Sequence, residues 1–113
     1  MTVRILLAVC LFGFSAEAHA ILKSSLPRAK QVVQGPEVAI ALTFNSRIDA
    51  KRSRVAIISS DSSERALSIG GQPSPEVLTS IAKGLKAGTY VLRWQVLAND
   101  GHISRGEIPF RVE

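Results

Sequence analysis

The chain has 113 residues, 46% of them hydrophobic, which is enough for one small domain and excludes a second. Lys and Arg number 14 against 9 Asp and Glu, so the formal net charge is +5. The basic residues are scattered and aromatics make up only 5%, which excludes the basic stripe with stacking aromatics that nucleic-acid readers use.

The first eighteen residues have the three parts of a secretory signal peptide. Met1–Arg4 is short and basic, Ile5–Phe14 is an apolar run, and Ala16-Glu17-Ala18 is a small-x-small cleavage site. The apolar run falls well short of the roughly 20 residues that a membrane span needs. We therefore predict a cleaved signal peptide over residues 1–18 and a mature domain over residues 19–113.

Cleavage after Ala18 removes all the sulfur from the chain, because its one Cys and its one Met are Cys10 and Met1. The mature domain then has neither disulfides nor thiol chemistry. Its fold has to depend on the hydrophobic core alone, although many secreted domains of this size use disulfides.

Beyond the cleavage site, apolar and polar residues alternate in short stretches, and a helical period is almost absent. The period of two predicts seven strands, at residues 20–25, 38–44, 55–59, 66–69, 77–81, 89–97 and 103–112. Short strands separated by turn residues, without helices, are typical of two packed antiparallel sheets. Pro109 removes a backbone donor from the last strand, so we expect that strand to be edge-like or bulged there.

The group Lys51-Arg52-Ser53-Arg54 is the only local concentration of basic residues. We interpret it as a solvated loop, against the alternative of docking to an anionic partner or a membrane. Trp94 could be an electron relay or a wall of a metal site, but its place in an alternating strand favours a core residue.

The two histidines lie at positions suited to a metal site. Processing makes His19 the first residue, and its α-amino and ring nitrogens can chelate one ion. His102 follows Asp100 and Gly101 in an expected turn after the strand 89–97. Three nitrogens and one carboxylate oxygen suit Cu(II) in tetragonal geometry. The competing interpretation is that Asp100–His102 is an ordinary turn and that His19 is simply the residue left by processing. Asp49 and Glu107 are possible further carboxylate ligands, but nothing in the sequence places them beside the histidines.

Several motifs occur in order along the whole mature chain: His19–Pro27, Val38–Asn45, Leu85–Val96, Asp100-Gly101-His102, Gly106 and Phe110–Val112. This ordered set resembles the CopC family of periplasmic copper-resistance proteins. The resemblance implies an all-β, Greek-key β-sandwich of the immunoglobulin-like or cupredoxin-like type, with about seven strands. It also implies one Cu(II) per chain, bound by His19, Asp100 and His102.

The resemblance implies a periplasmic copper carrier or buffer in copper resistance and homeostasis, with no enzymatic turnover. An inner-membrane copper transport protein is an implied partner, and we expect a monomer that binds no nucleic acid. Met-rich members hold Cu(I) through thioethers, and this chain departs from them because no Met remains after cleavage. It also has Ala98 and Ile103 where the family often has a hydroxyl residue and Pro, which alters the surroundings of the ligands.

The alternative function is a small copper oxidoreductase of the histidine-brace type, because a terminal histidine and a second histidine hold copper in such enzymes. Such enzymes are usually larger and bind their substrate on a broad flat face, which a mature domain with only four aromatic residues can hardly form. A third interpretation is a purely structural or adhesive sandwich. The oxidoreductase predicts reductant-dependent peroxide or oxidised sugars, and the structural protein predicts no stoichiometric copper.

Overall fold

The computed structural model describes residues 20–113, which form a β-sandwich of two sheets. Its strands are β1 (Leu22–Leu26), β2 (Gln31–Val33), β3 (Val38–Phe44), β4 (Arg54–Ser59), β5 (Glu64–Leu67), β6 (Val77–Ala82), β7 (Gly88–Leu97) and β8 (Ile103–Val112). A short 3-10 helix, Ala50–Arg52, precedes β4. The predicted signal peptide and His19 lie outside the described residues.

All seven predicted strands are present, with ends displaced by at most two residues. The sequence pattern missed β2, because three residues are too few to show a period of two. Within residues 20–113, no helix is long and apolar enough to cross a membrane.

The strands pair in the orders β1-β3-β6 and β2-β8-β7-β4-β5. All neighbours are antiparallel except β2 and β8, which run parallel over Gln31–Val33 and Phe110–Val112. The expectation of two wholly antiparallel sheets is therefore wrong at this pair. The reason is that the chain passes from β1 into the other sheet within four residues and continues beside the end of β8 in the same direction.

The core lies between the two sheets and is filled by every second residue of the long strands. The inward residues include Ile40, Leu42 and Phe44 of β3, Leu92, Trp94 and Val96 of β7, and Ile108, Phe110 and Val112 of β8. Trp94 is 7% exposed and meets the Phe44 ring edge-on, with the ring centroids 5.1 Å apart. Trp94 is thus a core residue, as its alternation predicted.

Pro109 of β8 directly precedes the residues that pair with β2. The Lys30 N–H donates to the Pro109 carbonyl oxygen (2.6 Å), and β2 pairs with β8 only from Phe110 onward. From Ile103 to Pro109, β8 is paired with β7 alone, so this part of the strand is an edge, as expected. In the basic group, Lys51 and Arg52 are exposed on the 3-10 helix and Arg54 is exposed at the start of β4, so these side chains are solvated but the segment is not a loop throughout.

Candidate metal centre

The hairpin between β7 and β8 ends in a tight turn that carries Asp100 and His102. The Ala98 N–H donates to the His102 carbonyl oxygen (2.8 Å), and the Gly101 N–H donates to the Ala98 carbonyl oxygen (2.9 Å). Gly101 has a φ of +91°, a backbone conformation that residues with a side chain rarely adopt. The order Asp-Gly-His therefore forms the turn for local reasons.

Asp100 contacts His102 through both carboxylate oxygens. Oδ1 accepts the His102 backbone N–H (3.0 Å), and Oδ2 lies 3.0 Å from the ring nitrogen Nδ1. This contact orients the imidazole and turns Nε2 away from the carboxylate. A carboxylate that orients an imidazole in this way is common beside metal-binding histidines.

The loop from Asn45 to Ser53 supports this turn from the side. The Asn99 N–H donates to the Arg47 carbonyl oxygen (3.0 Å), and the Asp49 N–H donates to the Leu97 carbonyl oxygen (2.9 Å). Between these bonds, Ile48 and Ala98 form an isolated antiparallel bridge, and both residues are buried. The turn is therefore held against the body of the sandwich.

The first described residues reach the same loop. The Ile21 N–H donates to Oδ1 of Asn45 (2.8 Å), and the Asn45 N–H donates to the Ile21 carbonyl oxygen (3.0 Å). Ala20 is 4% exposed and belongs to the core. The chain therefore enters the sandwich at the end where Asp100 and His102 lie, and His19, which precedes Ala20, is outside the described residues.

The side chains of the other carboxylates considered from the sequence have partners of their own. Oδ1 of Asp49 accepts the Lys51 N–H (3.1 Å), and Glu107 pairs with Arg93 (2.8 Å) on the outer face of the five-stranded sheet. Among residues 20–113, no three His, Cys, Asp or Glu side chains form a group that could hold a metal ion. The structure thus brings Asp100 and His102 together, and within residues 20–113 no third His, Cys, Asp or Glu side chain joins them.

Sequence reasoning gave Asn45 and the loop that follows it no part in the site. The sequence offers only a weak signal, an Asn directly after an alternating strand, and it does not show that this Asn meets residue 21. Nearby, Ser46 Oγ is buried and has no hydrogen-bond partner among the described residues. The imidazole and carboxylate of the turn fit a metal such as Cu(II), which prefers nitrogen and oxygen donors in a tetragonal set.

The protein is thus a β-sandwich that carries a histidine–carboxylate pair in the turn between β7 and β8. Comparison with known proteins shows its family. Residues 22–113 match the CopC domain, so the chain belongs to the CopC family. Copper resistance protein C of Escherichia coli is 30% identical over 110 residues, which cover 89% of this chain and 86% of that protein. Protein YobA of Escherichia coli strain K12 is 30% identical over 103 residues, covering 88% and 82%.

Solved structures agree with this assignment. CopC from Methylosinus trichosporium OB3b has a TM-score of 0.75 and 31% identity, covering 84% of this chain and 94% of that one. PcoC, described as a methionine-rich copper resistance protein from Escherichia coli, has a TM-score of 0.70 and 29% identity, covering 85% and 100%. The resemblance found in the motifs and the predicted sandwich fold are thus confirmed. This chain differs from the methionine-rich PcoC in having a single Met, Met1.

Proposed function

We propose that the protein binds one Cu(II) ion at the end of the sandwich that carries the Asp100–His102 pair. In this proposal His19 supplies its α-amino and ring nitrogens, His102 supplies a ring nitrogen, and Asp100 supplies a carboxylate oxygen. The observation that carries the proposal is the shared loop: residues 45–49 bind both Ile21, two residues after His19, and the turn at Ala98–Asn99.

The chemistry of these donors favours Cu(II) among the first-row metals. Imidazole, amine and carboxylate suit a tetragonal Cu(II) site, and the order of affinities places Cu(II) above Zn(II) at such ligands. Cu(I) prefers thiolate and thioether sulfur, and residues 19–113 contain neither Cys nor Met. Competition with a cuprous chelator should therefore strip Cu(I) from the protein, and tight retention of Cu(I) would contradict the proposed ligands.

The biological role that we propose is a carrier or buffer of Cu(II) in the periplasm, in copper resistance or homeostasis. The signal-like segment 1–18 supports export, with cleavage before His19 leaving one domain over residues 19–113. The names of the relatives, Copper resistance protein C and PcoC, a copper resistance protein, support the copper connection. An inner-membrane copper transport protein is the proposed partner for transfer.

The proposal is tested most directly by mass spectrometry of the secreted protein with one equivalent of Cu(II). The expected result is a chain that begins at His19 and retains one copper ion, with an electron paramagnetic resonance (EPR) signal of a nitrogen-rich tetragonal site. A secreted chain that begins elsewhere, or that retains no copper, would overturn the proposed ligands.

The oxidoreductase alternative is tested on the same copper-loaded sample. A carrier should produce no more peroxide or oxidised sugar, in the presence of a reductant, than an equal amount of copper bound to a small peptide. Sustained production above that control would favour the enzyme.

A further inference from the structure

The N-terminal segment is attached to the sandwich by two hydrogen bonds to one residue. The Asn45 side chain accepts the Ile21 N–H through Oδ1 (2.8 Å), and the Asn45 backbone N–H donates to the Ile21 carbonyl oxygen (3.0 Å). Asn45 directly follows Phe44, which is 1% exposed in the core at the end of β3. The attachment point is therefore anchored in a buried strand.

From the same residue the chain leads directly to the turn. Two residues after Asn45, the Arg47 carbonyl oxygen accepts the Asn99 N–H (3.0 Å), next to Asp100. Asn45 thus stands between the entry of the N-terminal segment and the turn that carries Asp100 and His102.

We propose that Asn45 is a positioning residue for copper: its side chain fixes Ile21, two residues after His19, at the end of the sandwich that carries Asp100 and His102. The inference rests on the proposed function. Chain termini are poorly ordered unless contacts hold them in place. A ligand group that is already ordered before the metal binds loses less conformational entropy on binding, so the affinity is higher. Asn45 contributes no donor atom to the metal in this role.

The side-chain contact can be removed without removing the backbone contact. Asn45→Leu has a similar size and no acceptor, whereas Asn45→Asp keeps an acceptor for the Ile21 N–H. Asn45→Ala removes the acceptor without adding an apolar side chain at this exposed position. Tyr90→Phe is the matched control, because it removes one side-chain-to-backbone hydrogen bond, to the Lys86 carbonyl oxygen (2.7 Å), at the opposite end of β7.

The experiment measures Cu(II) affinity by competition, in protein that begins at His19 and in the same protein acetylated at its α-amino group. We expect Asn45→Leu and Asn45→Ala to weaken binding about three- to tenfold in the unmodified protein, the effect of one neutral hydrogen bond. Tyr90→Phe should bind as the parent does, and Asn45→Asp should bind at least as tightly, because it keeps the acceptor for the Ile21 N–H and adds a negative charge that attracts the cation. In the acetylated protein, only the ring nitrogen of His19 remains to be positioned, so Asn45→Leu should have a smaller effect than in the unmodified protein.

A second readout needs no copper. Hydrogen exchange of the Ile21 amide in the metal-free protein should be faster in Asn45→Leu than in the parent and unchanged in Tyr90→Phe. Unaltered exchange at Ile21 would overturn the role of Asn45.

The outcomes separate this inference from the function on which it rests. If the parent binds Cu(II) and Asn45→Leu binds it equally well, or loses affinity equally with and without acetylation, the positioning role is wrong and the copper site stands. If the unmodified parent binds no Cu(II), the proposed function and the positioning role both fail.

Discussion

The two parts of the proposed site are built in different ways. The Asp100–His102 turn is held by hydrogen bonds among five consecutive residues, 98–102. The N-terminal segment is held by Asn45, which lies 24 positions away from Ile21 in the sequence. One part therefore forms wherever the hairpin forms, whereas the other needs the folded sandwich and, in our proposal, a cleaved N-terminus.

The largest effect should come from blocking the N-terminus. Acetylation of the His19 α-amino group removes one nitrogen of the proposed chelate and should weaken Cu(II) binding about a hundredfold or more, because even the partners of metal ligands are worth 10- to 100-fold. Competition titration measures this change, and an unaltered melting temperature is the control for folding. Equal affinities before and after acetylation would show that the amino group is not a ligand.

The next largest effect should come from the turn. His102→Ala removes a ring nitrogen and should weaken Cu(II) binding by more than tenfold, which is more than about 1.4 kcal/mol. The EPR spectrum should show one coupled nitrogen fewer, and the circular dichroism spectrum should still be that of a β-protein. A loss of tenfold or less would argue against His102 as a ligand.

Two variants of Asp100 distinguish its role as a copper ligand from its role in holding the turn. Asp100→Asn keeps an oxygen that accepts the His102 backbone N–H but loses the negative charge, so we expect a loss in Cu(II) affinity of about three- to tenfold. Asp100→Ala should lose more, because it also removes the acceptor that holds the turn. If the two variants bind as tightly as the parent, Asp100 neither ligates copper nor orients His102.

The smallest effect on copper should come from the core, away from both parts of the site. At Gly106 an added Cβ overlaps the Trp94 indole, so Gly106→Ala should lower the free energy of unfolding by about 1–3 kcal/mol and leave Cu(II) affinity unchanged. Gly71→Ala is the matched control, since a Cβ there meets no atom within 4 Å. Denaturant unfolding measures both, and equal stabilities would contradict the packing of Trp94 on Gly106.

Much of the fold could be predicted because most strands bury one face in the core and leave the other face more exposed. In β7, Leu92, Trp94 and Val96 alternate with exposed or half-buried residues, and this alternation is visible without knowing the neighbouring strands. The short strand β2 and its parallel pairing with β8 could not be predicted, because three residues show no period and strand direction depends on where the chain crosses between sheets.

The same distinction applies to the candidate site. The sequence alone determined the Asp-Gly-His turn, since the preference of Asp and Gly for turns acts over neighbouring residues. It also marked His19 through the pattern of a cleavage site before it. Only the tertiary structure decided that Ile21 meets Asn45 and that the loop after Asn45 reaches Ala98 and Asn99, because these contacts join residues brought together by the pairing of β1 with β3 and by the packing of the two sheets.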